Sequence, residues 1–376
     1  MSEGEHGSGQ TARGYQTPAD LRLMQALSSL SWRADWPAPH THPGDLDWWS
    51  RDAAGPEPVL SERARLWFAG EADASDLVAW AWFNLPGDVD LQIHPDHRNR
   101  HVVRAMVDWA AARASSAEHD GLPVEALQAF ATDAQPTVVE ALLSLGFERA
   151  DGHSLAHLTR DLDDWSDRAG QAPRLPDGYR LRPLEGDADV ASRVACGRAA
   201  FPRSRNTVEK YEAARRSTLY RPALDWVVEG PGGEVVAFAL GWLDPATLGL
   251  ELEPVGVQPD LQRRGFGRAV CIAAIGAGRS LGAREGLICA ETDNPAAVRL
   301  YQSLGYRVTT VTHPYRRQLL GWARMGTPAP SLREETLPGF ASERSFQRDK
   351  PTEIASGGLV WVAPRANTNP PVAVRG

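Results

Sequence analysis

Lysine, cysteine and long apolar runs are scarce in this sequence of 376 residues. Lysine occurs only at Lys210 and Lys350 among 40 basic residues, a bias that we attribute to genome composition rather than to function. Three scattered cysteines are too few for a disulfide framework or a zinc cluster. No apolar run reaches 18 residues, so no membrane span is predicted. The polar stretch 1–12 lacks the apolar centre of a signal peptide. These absences favour a cytoplasmic protein.

Positive charge is also in deficit, because the formal net charge is −8. A chain of this sign is a poor candidate for general nucleic-acid binding. The hydrophobic fraction of 42% and the charged fraction of 23% are ordinary for a globular protein. The length suits two domains. The acidity is compatible with a cationic or amine substrate.

A strand, a proline and a glycine-containing turn form the most informative stretch. The apolar pattern of 248–257 predicts a strand that closes at Pro259, because proline cannot donate to a ladder. Helical spacing begins at Gly267. The turn between them, with Gly265, directs backbone N–H groups from a helix N-terminus, which is a favourable place for phosphate. The sequence of this turn is Gln262-Arg263-Arg264-Gly265-Phe266-Gly267-Arg268.

A second motif follows about 30 residues later. It reads Asn294-Pro295-Ala296-Ala297-Val298-Arg299-Leu300-Tyr301-Gln302-Ser303-Leu304-Gly305-Tyr306. Proline in the first turn and Asn294 as a cap predict a helix start here. Together, the two motifs resemble those of the GNAT acetyltransferases, whose patterns are Gln/Arg-x-x-Gly-x-Gly/Ala and Asn-x-x-Ala-x-x-Leu-Tyr-x-x-x-Gly-Phe/Tyr.

The resemblance implies acetyl-CoA as co-substrate and direct acyl transfer to an amine. In that family the glycine loop, here 262–268, holds the pyrophosphate, and the strand backbone, here at Val255 and Val257, bonds the pantetheine arm. By the same resemblance Asn294 contacts that arm and Tyr301 protonates the departing thiolate. A tyrosine between two leucines is also compatible with a role in the core alone.

Two carboxylates precede the turn. Glu251 and Glu253 lie on one side of the strand, since side chains alternate with a period of two. The resemblance implies that a strand glutamate takes the proton of the amine; Glu251 matches it by position and Glu253 is the second candidate. The alternative is that both face solvent at the rim of the sheet.

The two halves of the chain repeat one order of elements. Aligning Pro95 with Pro259 places His101 and Val103 where the second half has its two glycines, and Gln135 and Leu142 where it has Asn294 and Tyr301. A bulky residue at a glycine position prevents close approach to a pyrophosphate, so the basic first-half turn is expected to be a solvated helix start. We therefore predict an α/β protein with two GNAT-like domains in tandem, each a mixed, mostly antiparallel sheet flanked by helices. The predicted boundaries are 1–19, a disordered tail; 20–161, a degenerate copy; 162–177, a linker; 178–326, the catalytic copy; and 327–376, a proline-rich tail.

The predicted activity is acetyl transfer to a primary amine of a small molecule, such as an amino sugar or an aminoglycoside-like antibiotic, by a monomer or homodimer. A protein lysine or N-terminal amine as acceptor, or a non-catalytic acyl-CoA-binding module, remain as alternatives. No metal is expected: His40 and His42 lack further cysteine or histidine ligands nearby, and a packed loop is the preferred interpretation of that stretch.

Overall fold

A continuous sheet of 13 strands organises the part of the chain that the structure describes. The structure, a computed structural model, describes residues 11–51, 60–70, 77–84, 86–119, 122–152, 154–165 and 173–319. The predicted C-terminal tail, 327–376, lies outside these residues, as does 166–172 of the predicted linker. Within the described residues no helix is long and apolar enough to cross a membrane.

The described residues of the first half form nine strands and five helices. The strands are β1 (Thr11–Gly14), β2 (Ala64–Phe68), β3 (Leu77–Asn84), β4 (Asp88–Ile93), β5 (Glu118–His119), β6 (Leu122–Pro123), β7 (Ala126–Thr132), β8 (Glu148–Arg149) and β9 (Leu155–Asp161). The helices are α1 (Pro18–Asp35), α2 (Pro43–Ser50), α3 (Leu60–Arg63), α4 (Arg100–Ser115) and α5 (Pro136–Ser144).

As far as the structure describes it, the second half forms six strands and four helices. The strands are β10 (Arg180–Pro183), β11 (Asp225–Glu229), β12 (Val235–Leu243), β13 (Gly249–Val257), β14 (Glu285–Glu291) and β15 (Arg307–Gln318). The helices are α6 (Gly186–Ala200), α7 (Val208–Arg215), α8 (Phe266–Ser280) and α9 (Pro295–Ser303). Short 3-10 turns at Pro95–His97 and Pro259–Leu261 follow β4 and β13, in line with the predicted repeat.

The two halves exchange their last strands. The main strand order is β1-β2-β3-β4-β7-β15-β9-β14-β13-β12-β11-β10, and β8 pairs with β15. Strand β9 of the first half thus lies beside β14 of the second, and β15 of the second lies beside β7 of the first. The predicted α/β fold with two copies is confirmed, and the two sheets are joined into one. The parallel pairs are β4–β7 and β13–β14, one in each half.

Helix α2 joins the halves through two adjacent tryptophans. Trp48 packs edge-on against Trp242 of β12, with ring centroids 6.3 Å apart. Trp49 contacts Trp82 of β3, with centroids 5.7 Å apart. Buried aromatic rings contribute large apolar areas to a core. The segment between α1 and α2 is therefore fixed between the two halves.

One local expectation differs from the structure. Residues 11–14, expected to be disordered, form β1 and pair with β2, because β2 offers an edge with free backbone groups. At the other end of the second half, β15 is a single long strand whose first part pairs with β9 and whose last part pairs with β7.

Candidate active site

Strands β13 and β14 separate in the middle of the sheet. Their parallel ladder runs from Gly249 to Glu251 and ends there, while β13 stays paired with β12 as far as Val257. The β12–β13 register shifts between the Gly241 and Ala239 pairs, a bulge that includes Pro254. Val255 and Val257 therefore lie on the part of β13 that is no longer paired with β14. An extended ligand arm can add to such an edge through main-chain hydrogen bonds.

The glycine turn begins α8 next to this gap. Gly265 is the N-cap with φ +86°, and Arg263 has φ +64°; both lie in the left-handed region. A Cβ on Gly267 would lie 3.2 Å from Leu300 Cδ2 and 3.3 Å from Val257 Cγ2. Gly267 thus lets α8 pack closely against β13 and α9. The N–H groups of the first turn of α8 lack intrahelical partners and can bind an anion.

The side chains of the turn fall into three groups. Those of Gln262, Arg263 and Arg264 are exposed. Phe266 is buried under Tyr179, with ring centroids 4.7 Å apart, so only its backbone can face a ligand. Arg268 donates to Ser303 at the end of α9, to the carbonyl oxygen at 3.0 Å and to Oγ at 2.9 Å. Arg268 thus joins the two helices beside the turn.

Helix α9 carries a buried phenol within electrostatic reach of Glu253 and Cys289. Asn294 caps the helix by accepting from the Ala297 N–H at 3.1 Å. Two turns later Tyr301 is 2% exposed. Burial, and then the nearby ionisable groups of Cys271, Cys289 and Glu253, raise the pKa of Tyr301 well above its usual range. Its hydroxyl is protonated at neutral pH and can supply a proton.

Three buried carboxyl groups meet where the β13–β14 ladder ends. Glu251 and Glu253 are 2% and 8% exposed, so the alternative that they face solvent at the rim is wrong. Asp45 of α2 joins them: one oxygen of each lies within 4.8 Å of the others. Burial is the largest cause that raises the pKa of both glutamates well above the usual range. For Glu251, the charges of Asp45 and Glu253 raise the pKa further. Burial raises the pKa of Asp45 to about 7.

His42 fixes α2 on β13. Its backbone N–H donates to Asp45 Oδ2 at 2.8 Å, and its Nδ1 accepts from the Gly44 N–H at 3.0 Å. Nε2 lies 3.2 Å from the Gly249 carbonyl oxygen, and Nδ1 lies 3.6 Å from Glu251 Oε2. Burial lowers the pKa of His42 to about 4, so the ring is neutral and Nε2 donates to Gly249. The segment predicted to be a packed loop is packed, and it also brings Asp45 and His42 to the site.

A pocket at these carboxyl groups is lined from both halves. Its first-half residues include Asp90 of β4, Phe130 of β7 and His157 of β9. Its second-half residues include Glu251, Glu253, Cys289 and Thr312. Sequence analysis named only the two glutamates among them. The others carry no local motif, and long-range strand pairing brings them together.

The equivalent turn of the first half is held by the chain itself. Asp35, at the end of α1, accepts from both terminal nitrogens of Arg98, at 2.6 and 2.5 Å. The same carboxylate accepts from Gln135 Nε2 at 3.0 Å. In the alignment of the halves, Arg98 and Gln135 correspond to Gln262 and Asn294. Val103, in place of the second glycine, is fully buried.

Comparison with known proteins gives a family. The model of the acetyltransferase (GNAT) family matches residues 194–306. A mycothiol acetyltransferase of Mycolicibacterium paratuberculosis is 30% identical over 256 residues, which cover 61% of this chain and 73% of that protein. Another, from Saccharomonospora viridis, is 25% identical over 281 residues, which cover 70% of this chain and 87% of that protein.

Solved structures agree in fold. A GCN5-related N-acetyltransferase from Sphaerobacter thermophilus matches with a TM-score of 0.58 at 21% identity, over 82% of this chain and 96% of that one. A tandem GNAT protein from the clavulanic acid biosynthesis pathway matches with a TM-score of 0.59 at 13% identity, over 83% of this chain and 99% of that one. The fold and the sequence matches define an acyltransferase. The chain belongs to the GNAT family of acetyltransferases.

Proposed function

We propose that this enzyme moves an acetyl group from acetyl-CoA to a primary amine of a small molecule, in its second half and without a covalent acyl-enzyme. One observation carries the proposal: a buried carboxyl group, Glu251, lies where the β13–β14 ladder ends, and a buried phenol, Tyr301, is close enough to Glu253 and Cys289 for these groups to raise its pKa. Acid and base are thus available near the place where an acyl arm can enter the sheet.

Cofactor binding is assigned to the strand edge and the turn. The peptide groups of Val255 and Val257 bond the pantetheine arm. The N–H groups that follow Gly265 bind the pyrophosphate, assisted by the exposed Arg263 and Arg264. Asn294, which begins α9, contacts the arm between these two regions.

The chemical step needs two proton movements. The neutral amine attacks the thioester carbonyl, the C–N bond forms and the C–S bond breaks. Glu251 accepts the proton that the nitrogen loses, directly or through water, and Tyr301 gives a proton to the sulfur. A carboxyl group with a raised pKa is a stronger base than an exposed one, because its pKa lies nearer to the pH at which the enzyme works. Glu253, two residues along β13, is the second candidate for the base.

The acceptor is assigned by class. The curated relatives are named mycothiol acetyltransferases, and an amino-sugar conjugate of the mycothiol type is the first acceptor to test. Other amino sugars and aminoglycoside-like compounds follow. A screen of primary amines with acetyl-CoA, read by released thiol and by product mass, tests the proposal. Absence of an acetylated product with every amine, by an enzyme shown to bind acetyl-CoA, would contradict it.

A further inference from the structure

Arg193 of α6 is a buried arginine that the proposed chemical step does not use. Its side chain is 1% exposed. The central carbon of the guanidinium, Cζ, lies 3.3 Å from the centroid of the Phe238 ring and 5.0 Å from that of the Tyr211 ring. Nε and Nη2 are buried and make no hydrogen bond with the described residues. Because arginine stays protonated in proteins, a positive charge lies in the core on the face of an aromatic ring.

The opposite charge near Arg193 comes from Asp225, at the start of β11. This carboxyl group is fully buried, and its Oδ2 accepts from the hydroxyls of Tyr211 at 2.6 Å and Tyr220 at 2.9 Å. Burial raises the pKa of Asp225, and the charge of Arg193 is the largest influence that lowers it. Asp225 Oδ1 makes no hydrogen bond with the described residues either. Buried charges that lack hydrogen bonds are costly, so stability alone does not explain an arginine here.

The ring beside Arg193 packs on the part of β13 that is assigned to the pantetheine arm. Phe238 of β12 is fully buried and pairs directly with Gly256. A Cβ on Gly256 would lie only 2.4 Å from Cζ of Phe238. The ring edge therefore fills the space of a side chain at residue 256. It lies against the backbone between Val255 and Val257.

This part of β13 is paired on one edge only. The strand stays paired with β12 as far as Val257, whereas its pairing with β14 ends at Glu251. The position of the free edge therefore depends strongly on what packs against the face of the strand. A shift of the Phe238 ring would move Gly256 and the peptide groups on either side of it.

We propose that Arg193 is a positioning residue for the cofactor arm: its guanidinium holds Phe238 against Gly256 and so fixes the free edge of β13. This inference rests on the proposed function, in which that edge binds pantetheine. The electron-rich face of the ring attracts the cation, and the attraction is stronger where water is excluded. An aliphatic side chain of the same length would fill the space without this attraction.

Calorimetric titration of the full chain with acetyl-CoA and with 3′-phospho-ADP separates the arm from the nucleotide. Arg193→Met keeps a long side chain and removes the charge. We expect it to weaken acetyl-CoA binding about tenfold. The affinity for 3′-phospho-ADP should stay unchanged, because this ligand carries the pyrophosphate and no pantetheine. Arg193→Lys, which keeps a cation beside the ring, should recover part of the lost affinity. Equal losses for both ligands, or no loss for either, would overturn the inference.

A double-mutant cycle tests whether Arg193 acts through the ring. Phe238→Leu removes the same contact from the other side and should also weaken acetyl-CoA binding. The double variant with Arg193→Met should bind little more weakly than either single variant, since the contact is already lost in each. Losses that simply add in the double variant would refute this route.

Arg63→Met is the matched control. Arg63 is 5% exposed, and its Cζ lies 5.3 Å from the centroid of the Trp82 ring in the first half. This control should change the melting temperature and leave the affinity for acetyl-CoA as it is. A similar loss of affinity in Arg63→Met and Arg193→Met would refute the specific role of Arg193. Failure of the wild type to bind acetyl-CoA would contradict the proposed function itself, whereas unchanged affinity in Arg193→Met would overturn this inference alone.

Discussion

Arg98 forms a two-point ion pair with Asp35, with N–O distances of 2.6 and 2.5 Å. Both side chains are largely buried, and Gln135 donates to the same carboxylate. The alignment of the halves relates Arg98 and Gln135, the two partners of this carboxylate, to Gln262 and Asn294 of the second half. A bidentate arginine–carboxylate pair resembles an arginine–phosphate pair in geometry. The chain thus supplies its own anion to the first half.

One acetyl-CoA should therefore bind per chain. Arg98 and Gln135 already donate hydrogen bonds to Asp35. Val103 prevents close approach of a pyrophosphate to the first-half turn. Titration of the purified protein with acetyl-CoA should saturate near one equivalent. A second equivalent that persists when the second-half turn is altered would mean that the first half is a working site.

Gly267→Ala should weaken acetyl-CoA binding by about tenfold or more. The added Cβ lies in tight contact with Leu300 and Val257 and pushes α8 away from its position beside the gap. Gly267→Val, the residue of the first half, should have a stronger effect. Gly276→Ala is the matched control: it lies in the same helix, and its Cβ would meet no atom within 4 Å. That control should keep the affinity and raise helix stability by up to about 1 kcal/mol. Calorimetry gives the affinities, and similar affinities for both alanine variants would refute the role of Gly267.

Tyr301→Phe should lower kcat by roughly 10²-fold with little change in the KM for acetyl-CoA. The proton for the thiolate is used only in the transition state, so its loss affects the rate more than ground-state binding. Tyr306→Phe is the control, because Tyr306 is equally buried and its hydroxyl makes no hydrogen bond. Steady-state kinetics with thiol detection decide the matter, and equal losses of kcat in the two variants would indicate a packing effect.

Glu251→Gln should reduce the rate by roughly 10²-fold at neutral pH and recover in part at high pH, where the amine is already neutral. In the wild type, the raised pKa of Glu251 means that kcat/KM falls as pH drops through that pKa, since the protonated carboxyl group is no base. Profiles of kcat/KM against pH for Glu251→Gln and Glu253→Gln distinguish the two candidates. If only Glu253→Gln shows this pattern, the base is one pleat further along β13.

Asp45→Asn should stabilise the protein more at pH 8 than at pH 5. The pKa of Asp45 is raised from 3.8 to about 7 on folding, so its carboxyl group disfavours the folded state increasingly as pH rises through that window. Asparagine keeps an acceptor for the His42 N–H and has no charge to bury. Asp20→Asn should act oppositely and destabilise at pH 8, because Asp20 has a lowered pKa beside Arg13. Melting temperatures of the variants at the two pH values provide the test; a stabilisation by Asp45→Asn that did not grow with pH would contradict this account.

Local signals predicted the second-half elements well. Pro259 ends β13, Gly265 provides the left-handed N-cap of α8, and the pair Asn294 and Pro295 begins α9, as the structure shows. Each of these residues acts through its own backbone conformation or through hydrogen bonds within a few positions. Such effects can be read from a short window of sequence.

Long-range contacts were not predictable in this way. Asp45 and Asp90 reach the pocket only because α2 packs between the halves and because the sheet is continuous. Nothing within a few residues of either side chain signals that placement. Glu251 and Glu253 were found because a family motif drew attention to their strand, whereas His157 lies on β9, which joins β14 by strand exchange.

The exchange of β9 and β15 sets an order of events during synthesis. Strand β7 pairs with β4 on one side and with β15 on the other. Thr132 of β7 can pair with Thr312 of β15 only after a further 180 residues have been synthesised. Pairings between such distant residues slow folding, because a long loop must close before the contacts form. The first half therefore emerges complete in sequence but with one sheet edge open, and it stays exposed to chaperones and to edge-to-edge aggregation until β15 arrives.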